Sequence, residues 1–243
     1  MLRKTRAILA LITLFLHQQG LQAQEESRFQ LEANFGYGVA HRILRQTEPD
    51  DMLTQMINNR NTYEHPVFAW QSNLYGVWKM STRSQLAGGF RFAERGYGYT
   101  SGPLRTLDST FATAQAVYSS GWLEIPIEFR YRVTSENKKW LTYLKAGAYF
   151  GIKLNARIES RVEEAGKVWT SDREDDLIRN YAAGLELGIL SKYHFNEHWN
   201  FHMQLSYQQG ILPLNVKKYN NSEARIFGYY WNLVPSTGIS YFF

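Results

Sequence analysis

Glu124 and Glu128 are the residues whose types and spacing first suggest chemistry. They lie four residues apart in the alternating stretch WLEIPIEFRY (122–131), so in a β-strand both carboxyl groups point to the same face. Two neighbouring carboxyl groups could act as general acid and general base. The same face of other segments carries basic residues, however, and charges that share a buried interior must be paired.

We therefore interpret these residues as a structural ion network and predict no catalytic residue among them. The network consists of Arg91, Glu124, Glu128, Arg130, Lys145 and Glu186. Three further charges, Glu32, Lys153 and Lys192, share its face. If 135–139 is a turn, Glu128 comes roughly opposite Lys145, so we expect these two side chains to form an ion pair.

Three histidines at 194, 198 and 202 raise the question of a metal site. Their spacing would align them on a helix, but a turn at 196–198 separates them. We expect His194 and His202 to face each other across that turn, and two imidazoles without a third ligand make a weak zinc site. We predict no metal ligand. We also predict no cofactor, because the GYG stretches at 36–38 and 96–98 lack the strand-to-helix context of a phosphate-binding loop.

The elements that must position these residues are predicted by hydrophobic alternation. In 199–208, Trp199, Phe201, Met203, Leu205 and Tyr207 alternate with Asn200, His202, Gln204, Ser206 and Gln208, which is the pattern of a β-strand with one apolar face. Equivalent patterns predict eight strands, at about 28–44, 66–80, 85–99, 117–133, 140–158, 181–189, 199–208 and 225–243.

The connections between these strands alternate in length. Those at 81–84, 135–139 and 196–198 are short, whereas those at 45–65, 100–115, 157–180 and 214–225 are long and polar. Short turns on one rim and long loops on the other are typical of a transmembrane β-barrel. The sequence therefore predicts an all-β fold, an eight-stranded antiparallel up-and-down transmembrane β-barrel, with outer-membrane lipid against its apolar face.

A soluble eight-stranded barrel of the lipocalin type also alternates, with its apolar face inward. Three features favour the membrane barrel. The strands reach ten or more residues, as a tilted spanning strand requires. The polar face is rich in Gly, Ser and Asn, which suits a crowded interior. Aromatic residues lie near strand ends, where membrane girdles belong; these are Trp70, Trp78, Tyr131, Trp140, Tyr193, Trp199 and Tyr229.

The first residues have the organisation of a secretory signal peptide. Arg3, Lys4 and Arg6 precede an apolar run at 7–16 and a Leu21-Gln22-Ala23 end. We predict a signal peptide at 1–23 and a barrel domain at 24–243. The net charge of +5 less the three signal charges leaves about +2, so we expect no nucleic-acid partner.

The last strand carries an alternating pattern through Tyr241 to Phe243. Closure of a barrel requires the last strand to pair with the first, because an open sheet edge does not occur in lipid. A terminal phenylalanine on such a strand resembles the assembly signal of bacterial outer-membrane barrels. We therefore expect Tyr241 and Phe243 to be read by the barrel-assembly machinery.

Several stretches resemble the small outer-membrane barrel proteins of Bacteroidota, grouped as PorT-like or "porin family" proteins. These are FRFAERGYGY (90–99), WLEIPIEFRY (122–131), LKAGAYFGIKLNAR (144–157), YAAGLELGILSKYHF (181–195), FHMQLSYQQGILPL (201–214) and the terminal GISYFF. The resemblance implies localisation in the cell outer membrane. One branch of that family is tied to type IX secretion, which makes a secretion machine or a lipoprotein a candidate partner.

These observations predict a non-enzymatic barrel whose lumen is filled by side chains. An eight-stranded interior is just wide enough for side chains to fill, and the role would then be structural, scaffolding or partner binding through the long outer loops. Two alternatives remain open. One is a small porin. The other is an outer-membrane lipid deacylase or protease, since His41 and His65 flank a loop with Glu48, Asp50 and Asp51.

Overall fold

The computed structural model is nearly all β-structure. It describes residues 29–46, 51–101, 104–105, 111–135, 139–164, 167–174, 178–213 and 226–243. The predicted signal peptide lies outside these residues. The long strands are β1 (Phe29–Gln46), β3 (Val67–Lys79), β4 (Ser84–Thr100), β6 (Phe111–Arg132), β7 (Trp140–Glu164), β9 (Tyr181–His194), β10 (Trp199–Gly210) and β11 (Ile226–Phe242). Three shorter strands are β2 (Glu64–His65), β5 (Leu104–Arg105) and β8 (Lys167–Glu174).

The eight long strands form a closed antiparallel ring. Their order is β1-β3-β4-β6-β7-β9-β10-β11, with β4 paired to β6. The ring closes where β11 returns to β1, with Gln30 opposite Phe242 and Gln46 opposite Ile226. No long strand is therefore left with an unpaired edge along the wall, and the predicted eight-stranded up-and-down barrel is confirmed.

The wall separates an apolar outside from a polar inside. Along β10, the exposed side chains are Trp199, Met203, Leu205 and Tyr207, and the buried ones are Asn200, His202, Gln204, Ser206 and Gln208. Exposed leucines such as Leu187 (59%) and Leu205 (47%) would be costly in water and are suited to lipid. Among the described residues, no helix is long and apolar enough to cross a bilayer.

Aromatic side chains gather where the wall meets its two rims. At the rim with the short turns, Trp140 packs on Tyr193 and Trp199 on Tyr241, each with ring centroids 5.0 Å apart. On the side of the long connections, Tyr37 stacks on Phe68 at 5.4 Å. Amphipathic rings prefer the boundary between lipid and water, so the two groups mark both membrane surfaces.

A register shift in the β6–β7 ladder lies between Gly121 and Trp122. Opposite it, Leu154 and Asn155 are both exposed, and the Asn155 Oδ1 accepts a hydrogen bond of 2.9 Å from the Gly121 amide. Below this bulge the outward side chains of β7 are apolar, as at Ile152, whereas above it they are charged, as at Arg157. The bulge therefore marks the level at which lipid gives way to water.

Three of the long connections contain structure that the sequence did not predict, and at 100–115 it is the short strand β5. The connection at 45–65 contains a helix, α1 (Asp51–Tyr63), which buries Leu53 and Ile57 one turn apart. Asp51 in its first turn and Arg60 in its last turn complement the helix dipole. The prediction of a polar loop there was wrong, because two apolar residues suffice to dock a helix on the barrel mouth.

The prediction of a polar loop at 157–180 was also wrong. Strand β7 continues to Glu164, and β8 turns back along it, from Lys167 opposite Glu164 to Glu174 opposite Arg157. Strand β6 extends beside β7 over the same height, with Ala112 opposite Glu164. A three-stranded sheet thus projects beyond the lipid boundary. The fourth long connection, 214–225, lies outside the described residues.

Candidate functional site

The inward-facing charges form one buried layer of ion pairs across the barrel. Alternation along each strand places them: Glu32 on β1, Arg91 and Arg95 on β4, Glu124, Glu128 and Arg130 on β6, Lys145 on β7, and Glu186 and Lys192 on β9. Each of these residues is at most 3% exposed. The six residues predicted as a network all belong to this layer.

Arg91 lies at the centre of the layer. Its guanidinium contacts the Glu186 carboxylate, and it lies 3.3 Å from Glu124 and 3.7 Å from Glu128. The Arg91 Nε donates to Asn73 Oδ1 at 2.7 Å, and an Nη donates to the Tyr75 hydroxyl at 3.0 Å. A guanidinium presents five donors in a fixed plane, so one arginine can join strands from opposite sides of the barrel.

Lys145 provides the second connection in the centre. Its ammonium donates to Glu186 at 2.6 Å, to Glu128 at 3.2 Å and to Gln204 at 3.2 Å. An ammonium has three donors, and these three acceptors account for all of them. Lys145 therefore links its own strand, β7, to β6, β9 and β10.

The Glu128–Lys145 contact exists, but its register differs from the prediction. Glu128 lies opposite Gly147, and Lys145 lies opposite Arg130, so the two side chains meet diagonally. Gly147 makes this possible, because a Cβ there would lie 2.4 Å from the Ile127 carbonyl oxygen and 3.1 Å from Glu128 Cγ. The prediction that Lys145 lies opposite Glu128 was therefore two residues away from the actual register.

Glu32 organises the part of the layer nearer the short turns. Its carboxylate accepts from Arg130 at 2.6 Å and from the Lys192 ammonium. Arg130 also lies 3.1 Å from Glu128, so Glu32 is connected to the central group. The Tyr75 hydroxyl donates to Glu128 at 2.8 Å, which fills another lone pair of that carboxylate.

Arg95 extends the layer toward the long connections. It lies 2.5 Å from Glu124 and stacks over the Tyr149 ring at 4.5 Å. The sequence prediction omitted Arg95, although its spacing of four residues from Arg91 places it on the same face of β4. Lys153 lies on the inward face as expected, opposite the buried Trp122. It is only partly buried, and its ammonium donates to the Ile178 carbonyl oxygen at 2.7 Å.

At the end of the barrel with the long connections, the interior is closed by aromatic rings and an ion pair. Tyr97, Trp122 and Tyr230 belong to a buried apolar cluster. Above it, Arg42 binds Glu64 with two hydrogen bonds, of 2.5 and 2.9 Å, and covers the Tyr97 ring at 3.6 Å. Glu64 follows α1 directly, so this bidentate contact fixes the helix to the wall.

The histidines are not brought together as expected. His202 is fully buried and lies opposite Lys192, whereas His194 lies opposite Asn200, so the expected facing pair is displaced by two residues. His198 stacks on Tyr241 with ring centroids 5.8 Å apart. In the described parts of the chain, no three His, Cys, Asp or Glu side chains are placed to hold a metal ion.

Tyr241 and Phe243 lie at the rim with the short turns. The Phe243 ring is 61% exposed, and its centroid is 5.8 Å from Phe29 and 5.2 Å from Tyr241. The side chain is thus presented outward beside the first strand. Its function as an assembly signal stays a prediction.

The arrangement of charges decides what the interior can do. Glu32, Glu124, Glu128 and Glu186 each contact at least one cation directly. Carboxylates enclosed in this way are poorly placed to act as general acids or bases, because a catalytic group must reach its substrate. The layer can instead fill the interior and connect the strands that surround it.

Comparisons with known proteins agree with this architecture. The family described as "Outer membrane protein beta-barrel domain" matches residues 22–214. No curated protein matches the chain.

Several solved structures are similar in fold. Neisserial surface protein A is 12% identical, with 90% of this chain and 100% of that chain covered and a TM-score of 0.40. OprG from Pseudomonas aeruginosa is 10% identical, with 90% and 98% covered and a TM-score of 0.45. The protease OmpT from Escherichia coli is 9% identical, with 91% and 99% covered and a TM-score of 0.31.

The family match covers most of the chain and agrees with the closed ring of apolar-faced strands. This protein therefore belongs to the outer membrane protein beta-barrel domain family and is an outer-membrane β-barrel protein.

Proposed function

We propose that this protein is a non-enzymatic, closed-lumen barrel that serves as an outer-membrane scaffold and binds a partner through its outer connections. The buried layer of ion pairs is the observation that supports this proposal. It crosses the interior from Glu32 on β1 to Glu186 on β9, with Arg91 and Lys145 between them. An interior filled in this way leaves the outer surface as the place for recognition.

The resemblance to PorT-like barrels supports a secretion machine or a lipoprotein as the partner. The structure adds a reason to look on the outer side, because α1 and the β6–β7–β8 sheet are both built there. Rigid elements position recognition residues better than unstructured loops do.

Planar-bilayer recording tests the closed lumen. We expect no steady single-channel conductance from the purified wild-type protein, because Arg91, Trp122 and Arg130 are all fully buried within the barrel. A reproducible conductance of uniform size would overturn the closed lumen and favour the porin alternative.

Mild crosslinking of intact outer membranes, followed by purification of the barrel, tests the scaffold role. We expect a stoichiometric partner that is lost when β8 is deleted. Recovery of the barrel with lipid alone, together with hydrolysis of a lipid or peptide substrate by the pure protein, would instead indicate an enzyme.

A further inference from the structure

The outer edge of β8 is an accessible template for another strand. Among the strands that the structure describes, β8 pairs with β7 alone, and all its residues, Lys167–Glu174, are exposed. Trp169 is 49% exposed and Val168 is 48% exposed. An exposed edge with apolar side chains invites pairing with a further strand.

We propose that this edge pairs antiparallel with β8 of a second copy of the chain, located in a facing membrane. The proposal rests on the proposed role of the outer connections in partner binding and adds a second copy of the chain to the partners named above. It follows from the sequence of β8, KVWTSDRE, and from the symmetry that two identical strands must obey.

Symmetry restricts the possible registers. Two identical antiparallel strands are related by a two-fold axis perpendicular to their sheet, which leaves each side chain on its original face. A residue can therefore lie opposite only a residue of its own face. On β8 one face carries Lys167, Trp169, Ser171 and Arg173, and the other carries Val168, Thr170, Asp172 and Glu174.

Charge then distinguishes among the symmetric registers. Each register is named by the residue that lies opposite its own copy on the two-fold axis. With the axis at Thr170, Lys167 lies opposite Arg173. With the axis at Asp172 or at Arg173, two aspartates or two arginines lie opposite each other. Like charges directly opposite each other are destabilising. An axis at Trp169 avoids this, but it pairs only the segment 167–171.

An axis at Ser171 pairs the whole segment 168–174 without a like-charge contact. It places Trp169 opposite Arg173 and Thr170 opposite Asp172, twice each. The first pair allows a cation–π contact, and the second allows the threonine hydroxyl to donate to the carboxylate. The sequence of β8 is thus self-complementary in one long register.

The same axis determines how the two barrels are oriented. The β6–β7–β8 sheet continues the barrel wall above the lipid boundary, so an axis perpendicular to the sheet lies near the membrane plane and turns the second barrel upside down. Two copies in one membrane would need an axis along the membrane normal, and strands tilted by about 35–45° would then cross instead of pairing. The self-pairing therefore joins facing membranes, and many weak contacts between two surfaces add up through multivalency.

Cysteine crosslinking tests the register, because the native chain has no cysteine. We expect Ser171→Cys to give a disulfide-linked dimer under mild oxidation, since the two thiols lie on the axis and a disulfide forms only between directly opposed residues. Thr170→Cys is the matched control and should crosslink poorly with itself. A mixture of Thr170→Cys and Asp172→Cys copies should crosslink well, because these positions lie opposite each other.

Phosphatidylcholine vesicles that contain the full-length protein test the facing arrangement. Two populations with different tags should form crosslinks between vesicles and should aggregate. Trp169→Lys places lysine opposite Arg173 and should lower aggregation by roughly tenfold. Adding Arg173→Glu to that variant should restore aggregation, because lysine then lies opposite glutamate. A misfolded variant would not be rescued in this way.

Three results would overturn the proposal. They are equal crosslinking of Ser171→Cys and Thr170→Cys, crosslinks confined to copies within one vesicle, and failure of Arg173→Glu to rescue Trp169→Lys. Each leaves the proposed scaffold role intact if a different protein is recovered from crosslinked membranes and no conductance is seen.

Discussion

At the scale of single residues, Lys145 shows how the interior depends on paired charges. Lys145→Met would leave Glu186 and Glu128 without the ammonium that lies 2.6 and 3.2 Å from them. Because breaking a buried pair leaves an uncompensated charge, we expect a loss of about 3–5 kcal/mol in the free energy of unfolding. Denaturant unfolding in detergent measures it.

A second change tests whether the loss comes from the stranded charge. Adding Glu186→Gln to Lys145→Met should recover part of the stability and make the two changes non-additive. Arg161→Met is the control, since its contact with Glu163 at 3.7 Å is more than half exposed and should contribute at most about 1 kcal/mol. Strictly additive losses would show that Lys145 and Glu186 are not coupled.

The membership of the charged layer was predictable, but its exact contacts were not. Alternation assigns Arg91, Glu124 and Glu128 to the inner face without any structure. The partner of Glu128 depends on a hairpin register that residues 135–139 do not specify, and on the space left by Gly147. Arg95 could have been found by the same alternation that identified Arg91.

At the scale of elements, the buried ion pair between Arg42 and Glu64 anchors the end of helix α1 to the barrel, in addition to the buried side chains of Leu53 and Ile57. Glu64→Gln removes a charge from the two hydrogen bonds that Arg42 donates. Hydrogen bonds to charged groups contribute about 1.5–3 kcal/mol, so the 51–63 segment should be cleaved roughly 10 to 100 times faster by added protease. Gln55→Ala, at an exposed position of the same helix, should leave cleavage unchanged. Equal cleavage of both variants would mean that Arg42 does not secure the helix.

The terminal aromatic is predicted to act during assembly. Deleting Phe243 removes a ring that is 61% exposed, so the free energy of unfolding of refolded protein should change by less than about 1 kcal/mol. The amount of heat-modifiable, folded protein in the outer membrane should fall, as boiled and unboiled gel samples would show. An unchanged amount of folded protein in cells would contradict an assembly role for Phe243.

The elements differ in how far the sequence could predict them. Barrel strands alternate because lipid lies on one side and a polar interior on the other, and this made all eight recognisable. Strand β8 is exposed on both faces, so no alternation is required of it and none is present. Helix α1 buries only Leu53 and Ile57, which is too short an apolar pattern to distinguish from a loop.

At the scale of the whole molecule, the bilayer determines which outward positions tolerate charge. Leu205 lies on the exposed face between Ile189 and Pro235. Leu205→Arg should lower the free energy of unfolding in bilayers by about 2–4 kcal/mol if the site is near the midplane. Val117→Arg, above the bulge on the outward face of β6 and opposite Glu159, should have little effect because it lies in water. Similar losses at both sites would mean that lipid extends above the bulge.

Because the ring is closed, the same strands could be joined in a different chain order. Since Gln30 lies opposite Phe242, a short linker between the two ends of the ring and a cut in the turn at 81–84 would give a circular permutant with every ladder preserved. Such a protein should refold in detergent with native stability, yet its chain would finish on β3 instead of beside Phe243. Its refolding in vitro would show whether a closed ring is sufficient for stability. Its insertion in cells would show whether the assembly machinery also requires Phe243 at the end of the chain.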